Sequence, residues 1–201
     1  MKLSVRMVVV LTSVGLLSGS FLATVGILTK ERIEINKQRV IEEAIIKVVP
    51  GTESSTKLYE AKDFKVYGGK DPDGTLIGYG ILVSGIGFQD KITLMLGTNI
   101  SLTKTTRLEI IEQKETPGLG AKIEDEDVFL KFWEGRDCSQ PISLRKPAVK
   151  TAEELAASEV NTITGATISS ESVLKIVNNS VERLRQLIKE GNLQKGEQDA
   201  R

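Results

Sequence analysis

The chain has 201 residues, with 27 basic and 27 acidic side chains and therefore no formal net charge. That balance argues against a nucleic-acid surface, which needs a clear basic excess. With no histidine and a single cysteine, Cys138, it lacks the commonest general base and metal ligand and any internal disulfide, so redox chemistry here needs a borrowed organic cofactor.

Met7 to Leu28 contains no charged residue and is rich in Val, Leu and Ile. As a helix it spans about 33 Å, against a hydrocarbon core of roughly 30 Å. A signal peptide is the rival reading, because Lys2 and Arg6 form a basic start. The apolar stretch is longer than a usual signal core, and no Ala-x-Ala cleavage pattern follows, so residues 1–29 are expected to be a retained transmembrane anchor. Gly15, Gly19 and Ala23 lie at the small-residue spacing that permits close helix packing. Basic residues flank the span on both sides, with Lys30, Arg32, Lys37 and Arg39 after it, and the charge rule does not decide the orientation.

Residues 30–50 are expected to form a juxtamembrane helix, with Ile33, Val40, Ile41, Ala44, Ile45 and Val48 at roughly helical spacing and Pro50-Gly51 as its stop. A soluble domain over 51–190 follows, and then a polar tail over 191–201. Strands are predicted at Phe64–Tyr67, Thr75–Val83, Lys91–Leu96 and Thr105–Ile111, with Gly68 to Gly74 read as the turn between the first two. Asp125 to Trp133 and Ala152 to Ser158 read as short helices, with Phe129 and Trp133 in the core rather than on a cofactor. Cys138 reads as a small core residue. The last helix, Ile168 to Lys189, places Val173, Ile176, Val177, Val181, Leu184, Leu187 and Ile188 on one face, with Ser169 or Ser170 as its N-cap. The fold class is therefore α+β, a twisted antiparallel sheet packed with helices and preceded by one N-terminal transmembrane helix.

Two motifs carry chemistry. Glu115-Thr116-Pro117-Gly118-Leu119-Gly120 follows the last strand; proline and glycines there allow a loop that wraps a planar ring, or an ordinary turn. Thr164-Gly165-Ala166-Thr167 lies directly before the last helix. A hydroxyl at a helix mouth faces unpaired N–H groups and a dipole that favours a phosphate, although the same residues also make a simple cap.

The order of Gly85-Ile86-Gly87-Phe88-Gln89 and these two motifs behind an N-terminal anchor resembles the FMN-binding domain family, as in the G-type component of Rnf electron-transport complexes. The C-type component of the sodium-pumping NADH:quinone reductase is a close relative. The resemblance implies FMN held covalently by a phosphoester to Thr167, with Thr164, Gly165, Ala166, Glu115, Thr116, Gly118, Leu119 and Gly120 around the cofactor. No catalytic side chain and no metal site is expected. The resemblance further implies a flavin transferase for maturation, partner subunits of an ion-translocating ferredoxin:NAD oxidoreductase, and a domain on the extracytoplasmic side of the cytoplasmic membrane. Asn161 stands where the family's attachment motif carries aspartate, and Thr164 where it carries serine. A role in a sodium-pumping NADH:quinone reductase, a cofactor-free anchored binding module and a stand-alone flavin reductase are the other readings.

Overall fold

The computed structural model describes residues 3–193; residues 1–2 and most of the polar tail, 194–201, lie outside the described residues. Chain contacts divide it into two units, the first ending at Ile41 and the second beginning at Glu42.

Anchor and juxtamembrane segment belong to one helix, α1 (Leu3–Val48). No proline occurs before Pro50, so nothing removes a helical hydrogen bond along the way. Three hydroxyls along it bond back to the helix: Ser13, Thr24 and Thr29 donate to the carbonyls of Val9, Ser20 and Val25 at 2.7–2.8 Å. Among the described residues this is the one helix long and apolar enough to cross a membrane.

The second unit is built on an antiparallel meander of five strands in sequence order: β1 (Ser54–Ala61), β2 (Phe64–Lys70), β3 (Leu76–Ile86), β4 (Lys91–Asn99) and β5 (Thr105–Glu112). One face carries Phe64, Val66, Ile81, Ile92, Leu94 and Leu96 into the main core. There they meet Phe129, Trp133 and the apolar stripe of α2 (Thr167–Lys189). The α+β class and the antiparallel sheet are as expected. Phe129 and Trp133 are fully buried, edge to face with centroids 5.8 Å apart, and so are core residues. Cys138 is also buried, which pushes its thiol pKa up.

The opposite face receives the end of α1, where Ala44, Ile45, Val48 and Val49 are buried. Glycines make room for it. A Cβ at Gly78 would sit 2.6 Å from Thr98 O and 2.9 Å from Val49 Cγ1, and one at Gly97 would overlap the Val48 carbonyl. Gly69 faces Val49 and Thr52 in the same way.

Several local expectations change. Strand β1 is an addition to the expected set. Gly68 and Gly69 belong to β2 rather than to a turn, and the turn is confined to Asp71–Thr75, where Asp71 Oδ1 accepts the N–H groups of Asp73 and Thr75 at 3.0 and 2.8 Å. The helix expected at 125–133 contracts to a 3-10 turn, Leu130–Trp133, and the one at 152–158 to Ala152–Glu154. Two short parallel strands, β6 (Ser143–Arg145) and β7 (Glu159–Asn161), also form. In α2, Ile188 is 41% exposed and leaves the buried face that the other six residues share.

Candidate functional site

Three separated segments meet at one end of the sheet. The first is the β3–β4 connection, closed by Gly87 N–H donating to Asp90 O at 2.8 Å. The second is the loop after β5, where the N–H groups of Leu119 and Ala121 both donate to Thr116 O at 3.1 Å and Gly118 takes φ +75°. The third is the entry to α2, where Gly165 takes φ +84°, open to glycine and costly for other residues.

One buried carboxylate joins them. Glu115 Oε1 accepts the N–H groups of Phe88 and Gln89 at 2.9 and 3.0 Å, while Oε2 accepts Ser169 Oγ–H at 2.6 Å. Glu115 is only 4% exposed, so each donation offsets the cost of hiding the group from water. Thr116 Oγ1 adds a bond to Gln89 Oε1 at 3.0 Å. Two glycines keep the carboxylate's place open. A Cβ at Gly87 would collide with Glu115 Oε1, and one at Gly120 would lie 2.8 Å from Oε2.

These bonds frame a cleft of about 300 Å³. Of the residues anticipated from sequence, Thr116, Leu119, Gly120, Gly165, Ala166 and Thr167 line it. Glu115 and Gly118 do not: Glu115 lies behind the wall, and Gly118 faces open space. Thr164 lines a neighbouring cleft together with Asn161 and Lys150. Phe88, Ile168 and Ser169 also line the main cleft, and sequence reasoning missed them as site residues.

The start of α2 differs from expectation. Its N-cap is Ala166, without any side-chain cap, and neither Ser169 nor Ser170 fills that place. Ser170 Oγ instead accepts Ile163 N–H and donates to Ala166 O, both at 3.1 Å, which shapes the loop before the helix. Thr167 is thus the first helical residue, half-buried at the cleft, on a first turn whose N–H groups no side chain caps. Such a turn is a ready anion site. A phosphate esterified to the Thr167 hydroxyl would meet that turn, and Gly165, without a Cβ, leaves the approach open. The residues present therefore fit a phosphate-bearing cofactor. Asn161 is buried and holds the Val149 backbone, accepting its N–H and donating to its carbonyl, both at 2.9 Å.

Residues 87–182, the stretch that builds this cleft, match the FMN-binding domain family. That stretch is just under half of the chain. The chain is also similar to two curated proteins. One is the G-type component of the ion-translocating oxidoreductase complex of Methanosarcina acetivorans, 28% identical over 116 residues, which are 58% of this chain and 56% of that one. The other is the G-type component of the Na(+)-translocating ferredoxin:NAD(+) oxidoreductase complex of Acetobacterium woodii, 29% identical over 140 residues, 69% of this chain and 61% of that one. The match thus spans less than two thirds of either relative's length. The fold is shared with NqrC of Shewanella oneidensis, at a TM-score of 0.53 and 20% identity over 70% of this chain and 73% of that one. It is also shared with the C-type component of the Na(+)-translocating NADH-quinone reductase of Parabacteroides distasonis, at a TM-score of 0.57 and 17% identity over 83% and 98%.

Proposed function

We propose that this chain is a membrane-anchored flavoprotein subunit that relays electrons through FMN esterified to Thr167, within an ion-translocating ferredoxin:NAD oxidoreductase complex of the Rnf type. The observation that carries the reading is the position of Thr167, the first residue of a helix with no side-chain cap, on the same cleft as Thr116, Leu119 and Gly120. The names of the relatives from Methanosarcina acetivorans and Acetobacterium woodii support the choice of complex.

When bound, FMN supplies reversible uptake and release of electrons. The first-turn N–H groups and the helix dipole hold the phosphate in place. Gly165 leaves room for its approach, Glu115 fixes the surrounding loops, and α1 anchors the domain in the membrane beside partner subunits. Attachment requires a flavin transferase, and the domain lies on the extracytoplasmic side. Protease added to intact spheroplasts should digest it; protection until lysis would reverse that topology.

Thr167→Val tests the attachment. It keeps the branched shape and removes the oxygen that would bond to phosphorus, at a stability cost within about 1 kcal/mol. After co-expression with a flavin transferase, the wild-type mass should include one FMN that survives denaturation, and the variant none. A variant still carrying covalent FMN moves the attachment elsewhere. A wild-type chain without flavin would favour a cofactor-free anchored module.

A further inference from the structure

We infer that Phe88 is the aromatic wall against which the isoalloxazine ring of FMN packs, a positioning residue for the flavin that rests on attachment at Thr167. Within the second unit, Phe64, Phe129 and Phe132 are buried, whereas Phe88 is 60% exposed and lines the cleft that Thr167 also lines. A large exposed aromatic ring is ordinary on a floppy turn. This turn is fixed. Its N–H groups at residues 88 and 89 both enter Glu115 Oε1, Gly87 N–H closes onto Asp90 O, and Gln89 is tied to Thr116.

The same carboxylate holds Ser169, two residues beyond Thr167, through its other oxygen. Glu115 therefore sets the placement of Phe88 relative to the helical turn that bears the attachment hydroxyl. Leu119 and Ile168 complete the lip of the cleft, at 48% and 55% exposure. Three large apolar side chains left in water around one cleft gain from being covered, and a flat heteroaromatic ring joined at Thr167 covers them. The phosphate end of the cofactor takes the polar helix mouth and the ring end takes the apolar lip. One cleft thus presents both chemistries that FMN carries.

The test is a tryptophan scan of two positions in the full-length chain, co-expressed with a flavin transferase and purified in detergent. Indole in contact with a photoexcited flavin quenches its emission. Phe88→Trp should retain one covalent FMN by intact mass and lose flavin emission severalfold relative to wild type. Ile100→Trp is the control. Ile100 is 49% exposed just past the other end of β4, about 30 Å along the strand from Phe88, and should leave emission unchanged. Phe88→Ala should raise the sensitivity of the emission to iodide, because one side of the ring loses its cover. If Phe88→Trp carries FMN and emits like Ile100→Trp, the ring lies elsewhere and the inference fails while attachment stands. If Thr167→Val keeps its covalent FMN, attachment at Thr167 fails, and this inference with it.

Discussion

Ser169 Oγ donates to Glu115 Oε2 at 2.6 Å, a buried contact between residues 54 apart in the chain, which fastens the first turn of α2 to the loop after β5. Because Glu115 also receives two backbone N–H groups, its loss strands three donors, whereas loss of Ser169 strands part of one acceptor. Ser169→Ala should cost about 1–2 kcal/mol and Glu115→Ala about 3 kcal/mol or more. The double variant should be less destabilised than the sum, because the two share one contact. Urea unfolding of the three variants measures this. Strict additivity would mean that the contact contributes nothing.

Gly165 and Gly118 both adopt left-handed backbone, at φ +84° and +75°. An alanine at either should cost about 1–2 kcal/mol through backbone strain alone. A Cβ at Gly165 would lie 3.5 Å from Leu119 Cδ2, and one at Gly118 would meet nothing within 4 Å. The first is ordinary contact, so neither methyl clashes. If FMN is joined at Thr167 as proposed, the strain at Gly165, two residues before it, should slow attachment, followed by intact mass during incubation with a flavin transferase, whereas Gly118→Ala should not. Equal rates would show that the loop before Thr167 tolerates distortion.

Gly97→Ala should be among the most damaging single methyl additions in the domain. The added carbon meets the backbone carbonyl of Val48, which cannot rotate away as a side chain would. Overpacking of this kind costs about 3 kcal/mol. A melting temperature equal to that of wild type would show that the end of α1 moves freely on the sheet.

Acid should weaken the edge of the sheet in one window. Hydrogen bonds from Lys57 and Lys65 hold the Glu60 carboxyl down at about 2, from an ordinary value near 4.5. A depressed carboxylate pKa stabilises the fold above the unfolded value, and that gain drains away as pH falls from about 4.5 towards 2. Glu60 and Lys57 are 43% and 45% exposed, so solvent screening limits the gain to about 0.5 kcal/mol. Glu60→Gln should flatten the stability profile across that window, and high salt should do the same to wild type. A profile unchanged by either would remove the ion pair from the account.

Helix α2 is legible in the sequence because its apolar residues repeat at helical spacing; its buried face is as anticipated except at Ile188. Ser169 reads as a cap because a serine ahead of an apolar helical run usually is one. Its partner lies on another segment, and no local pattern reveals it. Gly68-Gly69 reads as a turn in sequence, yet these glycines sit in β2, where Gly69 faces Val49 and Thr52 and Gly68 faces Leu76 and Leu58. β1 escapes a pattern search because Ser54–Ala61 has no clean alternation, and it persists as an edge strand paired to β2. The Gly-Ile-Gly-Phe-Gln stretch could have flagged Phe88, since an aromatic between turn residues has no core to enter.

The cleft draws on residues 87–89, 115–120 and 165–169, and the last of these contains both Thr167 and the Ser169 hydroxyl that closes the Glu115 network. Synthesis delivers them in that order. A chain made as far as Gly120 holds two of the three segments, with Glu115 still lacking its third donor. If FMN is joined at Thr167 as proposed, the feature that a modifying enzyme would recognise comes into being when α2 docks, and flavin acquisition would then be a stamp of finished folding.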